Sequence, residues 1–229
     1  MTAAVKGTVT PETVNEAQAT IMRLEALPTV IKVKATKGQK AHTWLSQAQV
    51  KKLMALPNVD RLIGRRDKIA LGLCVSAGLR REEAVSVAFE DFQLLPMGNR
   101  FRTVINVKGK GAKDRAVPIS DSLAADIETW HADAGDGFIL RSVGKGGRVG
   151  NGLTAVSLFR IVAKYGRLLG VPELAPHDLR RTYAQLGYEA GVAITQVSRL
   201  LGHANVATTQ RYLNLELDIE TTISDFIPY

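Results

Sequence analysis

Glycines cut the second half of this chain into short helical lengths, and that punctuation constrains its fold more than any other feature. Helical runs are expected over about 154–169, 176–190, 194–201 and 206–213, and the first three stop at Gly170, Gly191 and Gly202. Glycine ends a helix because it enters the left-handed conformation without a Cβ clash, and Pro172 just beyond Gly170 bars continuation. The same grammar holds upstream. Ser46 and Gln49 form a capping box ahead of Val50, Leu53 and Met54, and an apolar helix from about Leu62 to Ser76 stops at Gly78. A short helix starts at Arg81, and Ser120 caps another that shows Leu123, Ile127 and Trp130.

Strands are few. Phe101 to Val107 and Arg115 to Ile119 read as a pair joined by a glycine-containing turn over Lys108–Asp114, and a third short strand is expected at Phe138–Val143. The predicted class is therefore α+β, mainly helical, with a small three-stranded antiparallel sheet.

Residues 1–42 differ from the rest. Glu12 to Leu27 has Val14, Ala17, Ile21 and Leu24 at helical spacing, and Val30 to His42 then carries four lysines with little to bury. A helix plus a basic linker is expected there, with the compact domain spanning 43–229. Apolar residues make up 45% of the 229, enough for a substantial core. Cys74, the only cysteine, lies in an apolar stretch and reads as a buried, reduced thiol. With no run of 18 apolar residues and no signal-peptide core, a soluble cytoplasmic protein is expected, without membrane contact.

The formal charge of +8 admits an anionic partner, and its distribution narrows the choice. Arg100 to Arg115 holds six Lys/Arg against Asp114 alone, Arg141 to Arg167 holds six and no acid, and the segment after Tyr212 holds four acids and no base. Two basic segments beside an acidic tail favour a nucleic-acid surface over a merely solvated face.

Four segments carry residue types suited to chemistry. They are Gly78-Leu79-Arg80 with Glu83, Lys108-Gly109-Lys110-Gly111-Ala112-Lys113-Asp114-Arg115, His177-Asp178-Leu179-Arg180-Arg181, and Leu201-Gly202-His203 followed nine residues later by Tyr212. Taken singly, each has an ordinary structural reading: Arg80 a surface arginine, Lys110 a hairpin-tip lysine, His177 a helix-start residue, Tyr212 a half-buried aromatic. Independent bland accounts must all hold at once for the set to be structural.

In that order and spacing the segments resemble the tyrosine recombinase (phage integrase) family over roughly residues 43–215. The resemblance implies a tyrosine recombinase catalytic domain whose catalytic set is Arg80, Lys110, His177, Arg180, His203 and Tyr212. It implies double-stranded DNA as substrate, a homo-oligomer (a tetramer) assembled on that DNA, a nucleoid-associated location, and no cofactor. Residues 1–42 then match the last helix and linker of an N-terminal core-binding domain, whether the rest was cut away or is naturally absent. The tail from Leu213 either packs on a neighbouring protomer or folds back on its own domain.

The implied chemistry suits these residues. Without a metal, phosphodiester cleavage needs fixed donors, and Arg80 and Arg180 each fork onto two phosphate oxygens, with His203 as a third donor. Tyr212 is the implied nucleophile, and a phenol of pKa about 10 needs a base or positive charge to attack at neutral pH. The resemblance gives that base as His177 and makes Lys110 the acid that protonates the leaving 5′-oxygen. Glu83 matches an acidic position that orients the site, a surface glutamate being the other reading. Lys108, Lys113, Arg115, Arg181 and Arg211 are candidate DNA contacts, with phosphate contact and salt bridge both open. No metal site is expected, since none of the four histidines pairs at zinc-ligand spacing. Two other functions stand beside the recombinase: a type IB topoisomerase-like nicking and closing enzyme, and a DNA-binding remnant that forms no covalent bond.

Overall fold

The computed structural model describes residues 44–109, 114–213 and 215. The helix expected over Glu12–Leu27, the basic linker, Lys110, Lys113 and nearly all of the acidic tail lie outside the described residues. The described elements are, in order, α1 (Gln47–Ala55), α2 (Leu62–Val75), α3 (Arg81–Ser86), β1 (Phe92–Met97), β2 (Arg100–Val107), β3 (Arg115–Pro118), α4 (Asp121–Ala134), β4 (Arg141–Val143), β5 (Val149–Gly152), α5 (Ala155–Leu169), α6 (Pro176–Glu189), α7 (Ile194–Leu201) and α8 (Val206–Tyr212). None of the described helices is long and apolar enough to cross a membrane.

Local chemistry sets the helix ends. Ser46 accepts from the Gln49 N–H while the Gln49 side chain accepts from the Ser46 N–H, so the expected capping box is present. Ser120 caps α4 through Leu123 N, Thr154 caps α5 through Ser157 N, and Gly170 and Gly202 close α5 and α7 in the left-handed conformation. Helix α2 is buried on nearly every side, and its Ile69, Leu71, Leu73 and Cys74 join Leu53, Trp130, Leu140, Leu158 and Leu179 in the main core. Burial pushes the Cys74 thiol up to about 12.

The sheet differs from expectation in its third strand. Its order is β1-β2-β3, all antiparallel, with Phe92 opposite Ile105 and Val107 opposite Arg115. The stretch expected as the third strand joins another pair instead. Arg141–Val143 pairs with β5 in a separate two-stranded ribbon, and Phe138 makes only an isolated bridge to Ala88. Strand β1 is not marked in the sequence, because it is exposed along most of its length and holds Pro96, so no alternation of apolar and polar residues announces it. A proline is tolerated there because β1 is an edge strand, where an N–H can face away from the ladder.

A second, smaller core holds the C-terminal helices. Ala184, Val197, Leu201 and Leu213 are its buried members, with Tyr183, Val192, Tyr212 and Leu215 packed against them. Tyr212 therefore sits on a small satellite of α6, α7 and α8 rather than on the main core.

Candidate active site

The turn after α2 builds one wall of the site. Gly78 has φ +62°, and a Cβ there would lie 2.4 Å from the Tyr183 ring, so only glycine fits. This turn aims the Gly78 carbonyl at Arg180 and puts Arg80 at the start of α3, where its side chain remains 43% exposed.

Glu83 organises the cations around it. Its carboxylate accepts from the Arg80 backbone N–H at 2.8 Å and from Arg80 Nη1 at 2.7 Å. Arg115 donates to both of its oxygens, at 2.9 and 2.8 Å, and Arg180 Nη1 lies 3.9 Å away. Burial alone would raise this carboxyl, but the Arg115 and Arg80 contacts outweigh it and hold Glu83 down at about 2.

Arg180 lies one helical turn beyond Pro176 on α6 and is almost wholly buried, at 2% exposure. It donates to the carbonyls of Gly78 and Leu201, and Nη2 lies 3.5 Å from His203 Nε2. Burial, then the positive charge of Arg80, lowers it to about 10, which leaves it a cation at neutral pH. His203 follows the α7 cap, its Nδ1 2.9 Å from Thr209 Oγ1. Burial and then Arg180, Arg80 and Arg115 push His203 down to about 4, so the ring is neutral at physiological pH. A guanidinium has only donors, so Nε2 facing Arg180 is the acceptor and the ring proton lies toward Thr209.

Tyr212 closes the site from α8. Its ring meets His177 edge-on at 5.2 Å and His203 edge-on at 5.5 Å between centroids. Its hydroxyl donates to the His177 backbone carbonyl at 3.3 Å. Burial raises the Tyr212 phenol above its ordinary value, while Arg180 and Arg181 pull against that rise. Between Arg80, Phe159, Pro176, His177 and Arg180 opens a cleft of about 350 Å³.

The structure thus brings together Arg80, His177, Arg180, His203 and Tyr212, which the sequence scatters over more than 130 positions. Lys110 falls outside the described residues; on either side of it, Gly109 N lies 3.4 Å from Asp114 Oδ1. Two candidate DNA contacts turn inward. Arg115 makes the salt bridge to Glu83, with its side chain 10% exposed, and Arg181, 5% exposed, covers the Tyr212 ring and donates to the Tyr212 carbonyl. Both are anchored within the protein, because a buried carboxylate needs a paired cation and a buried aromatic face attracts one. Lys108 and Arg211 remain exposed. Thr209, fully buried against His203, is a site residue the sequence does not mark, because a threonine six residues past a histidine carries no signal of its own.

Residues 43–217 match the profile of the phage integrase family. Tyrosine recombinase XerA of Pyrococcus horikoshii is 36% identical over 169 residues, which are 73% of this chain and 55% of that protein. Tyrosine recombinase XerD of Shewanella oneidensis is 31% identical over 175 residues, 75% of this chain and 56% of that one. The chain therefore spans little more than half the length of these curated relatives. Among solved structures, XerH recombinase in a post-cleavage complex with its palindromic difH substrate aligns with a TM-score of 0.62 at 24% identity, over 79% of this chain and 52% of that one. XerA recombinase aligns at 0.60 and 21%, over 95% and 76%. At these identities the two structures bear on the fold.

Proposed function

The chain belongs to the phage integrase family, and from that premise we propose that it breaks and rejoins double-stranded DNA as a tyrosine site-specific recombinase, with Tyr212 as nucleophile. The observation that carries this reading is that the Tyr212 ring meets both His177 and His203, with Arg180 3.5 Å from His203 and Arg80, His177 and Arg180 lining one cleft.

The scissile phosphate enters the cleft beside Arg80 and Arg180. Their guanidiniums stabilise the charge that grows on its non-bridging oxygens. The Tyr212 oxygen attacks phosphorus, its proton passes to His177, and the bond from phosphorus to the 5′-oxygen breaks. Lys110 protonates that leaving oxygen. The product is a 3′-phosphotyrosine and a free 5′-hydroxyl, and the retained phosphodiester bond lets a second hydroxyl reverse the step without ATP. His203 enters as a neutral ring, so donation from its Nε2 to the phosphate requires its proton to move from the Thr209 side.

The exposed Lys108 and Arg211 fit phosphate contacts outside the cleft. Residues 1–42 fit the end of a DNA-clamping domain, and the assembly on DNA is a homotetramer working on the cytoplasmic nucleoid. The test is a nicked suicide duplex that traps the covalent state. Wild-type protein yields an adduct on a denaturing gel, in EDTA as well as without it, and Tyr212→Phe yields none while still binding DNA. An adduct that persists in Tyr212→Phe and maps to another residue overturns the assignment.

A further inference from the structure

The geometry points to Arg115 as a positioning residue that ties the start of β3 to both Arg80 and His203. This rests on the recombinase reading and deepens it. Arg115 is the first residue of β3 and its root, opposite Val107 in the last pair of the β2–β3 ladder. From that root its side chain makes three bonds in two directions. Nη1 and Nη2 clamp the two Glu83 oxygens at 2.9 and 2.8 Å, and Nε donates to the Leu200 carbonyl at 2.8 Å.

Each direction ends on a residue of the site. Glu83 holds the Arg80 backbone and side chain. Leu200 belongs to the last turn of α7, which Gly202 caps ahead of His203. Gly202 also accepts from Arg80 Nη2 at 3.1 Å, which closes a ring through Arg115, Glu83, Arg80 and the α7 cap. The fit is close: a Cβ on Gly202 would lie 3.1–3.3 Å from the Arg115 guanidinium, and Gly202 itself has φ +63°. A lysine cannot replace this arrangement, because one ammonium lacks the planar fork that grips a carboxylate and leaves Nε for a carbonyl. Arg115 does not reach the cleft; it acts through Glu83 and Leu200.

The test compares wild type, Arg115→Met, Arg115→Lys, Glu83→Gln and Arg80→Ala in single-turnover adduct formation on the suicide duplex, with DNA affinity measured separately by anisotropy. The substrate is used in two forms, one ordinary and one with a methyl group in place of a non-bridging oxygen of the scissile phosphate. That neutral form has less charge to be stabilised, so it depends less on Arg80. Arg115→Met is expected to slow adduct formation on ordinary DNA by roughly 10- to 100-fold, with DNA affinity within about threefold of wild type. Arg115→Lys recovers only part of the rate, and both defects shrink on the neutral substrate, as that of Arg80→Ala does. Glu83→Gln behaves like Arg115→Met, and the variant that combines Arg115→Met with Glu83→Gln is no slower than the worse single one. Should Arg115→Met fail to fold, Arg115→Lys and Glu83→Gln carry the same comparison.

An equal defect on both substrates makes Arg115 a general stabiliser and overturns the proposal. So does a weakened DNA affinity with a salt slope reduced by about one, which marks a direct phosphate contact. If wild type forms the Tyr212 adduct and all Arg115 variants keep pace with it, positioning alone is refuted. If wild type forms no adduct, the recombinase reading falls and takes this proposal with it.

Discussion

Arg181 holds Tyr212 twice: its guanidinium carbon lies 4.7 Å from the centre of the Tyr212 ring, and its Nε donates to the Tyr212 carbonyl at 3.2 Å. One arginine thus fixes both the backbone and the ring of the proposed nucleophile, from a helix 31 positions away in sequence.

The charge of Arg181 also favours the phenolate, against the burial that raises the Tyr212 pKa. Arg181→Gln should therefore shift the rising limb of the cleavage-rate profile to higher pH and slow cleavage at pH 7. Raising the pH should recover much of the rate. A defect that stays constant from pH 6 to 9 would mean Arg181 only holds α8 in place.

Lys110 should be needed for the leaving group and not for the attack. Lys110→Ala should cripple cleavage of ordinary DNA, and the defect should shrink sharply when the bridging 5′-oxygen is sulfur. A thiol has a pKa of about 8.5, so a thiolate departs without a proton. Arg80→Ala and Arg180→Ala should not be rescued to the same degree. Lys113→Ala is the control, and rescue of that variant in place of Lys110→Ala would move the role three residues along the chain.

Acid should loosen the fold in two stages. Between about pH 6.5 and 4 the unfolded chain protonates His203 while the native ring, held at about 4, resists, so the native state loses stability as pH falls through that window. Glu83 is depressed from 4.5 to about 2, so its contribution is present above pH 4.5 and disappears as pH falls toward 2. Thermal melts followed by circular dichroism should show both stages in wild type. His203→Asn should flatten the upper one, and a melting curve in that variant with the wild-type pH dependence above pH 4.5 would contradict the burial of His203 among cations.

Gly78→Ala places a Cβ 2.4 Å from the Tyr183 ring on a residue at φ +62°. The strain and overlap should cost about 1–3 kcal/mol, read as a fall of several degrees in Tm. Adduct formation should fall as well, because the Gly78 carbonyl anchors Arg180. An unchanged Tm would show that the turn relaxes freely.

The helices and their ends were legible because their determinants are local. A cap needs one side chain and an N–H three residues on, as Ser46, Ser120 and Thr154 show, and a glycine stop needs only a missing Cβ, as at Gly170 and Gly202. The residue types of the site were legible too, since Arg80, His177, Arg180, His203 and Tyr212 stand in recognisable order. Tertiary structure alone decided the rest. Strand β1 exists because Phe92 to Met97 finds Arg100 to Ile105, and an exposed strand leaves no alternating pattern to announce it. The fates of Arg115 and Arg181 depend on partners 32 and 31 positions distant. A sequence records that an arginine is charged; whether it faces a DNA phosphate or a buried carboxylate depends on which groups folding removes from water, because a buried charge must find its opposite within the protein.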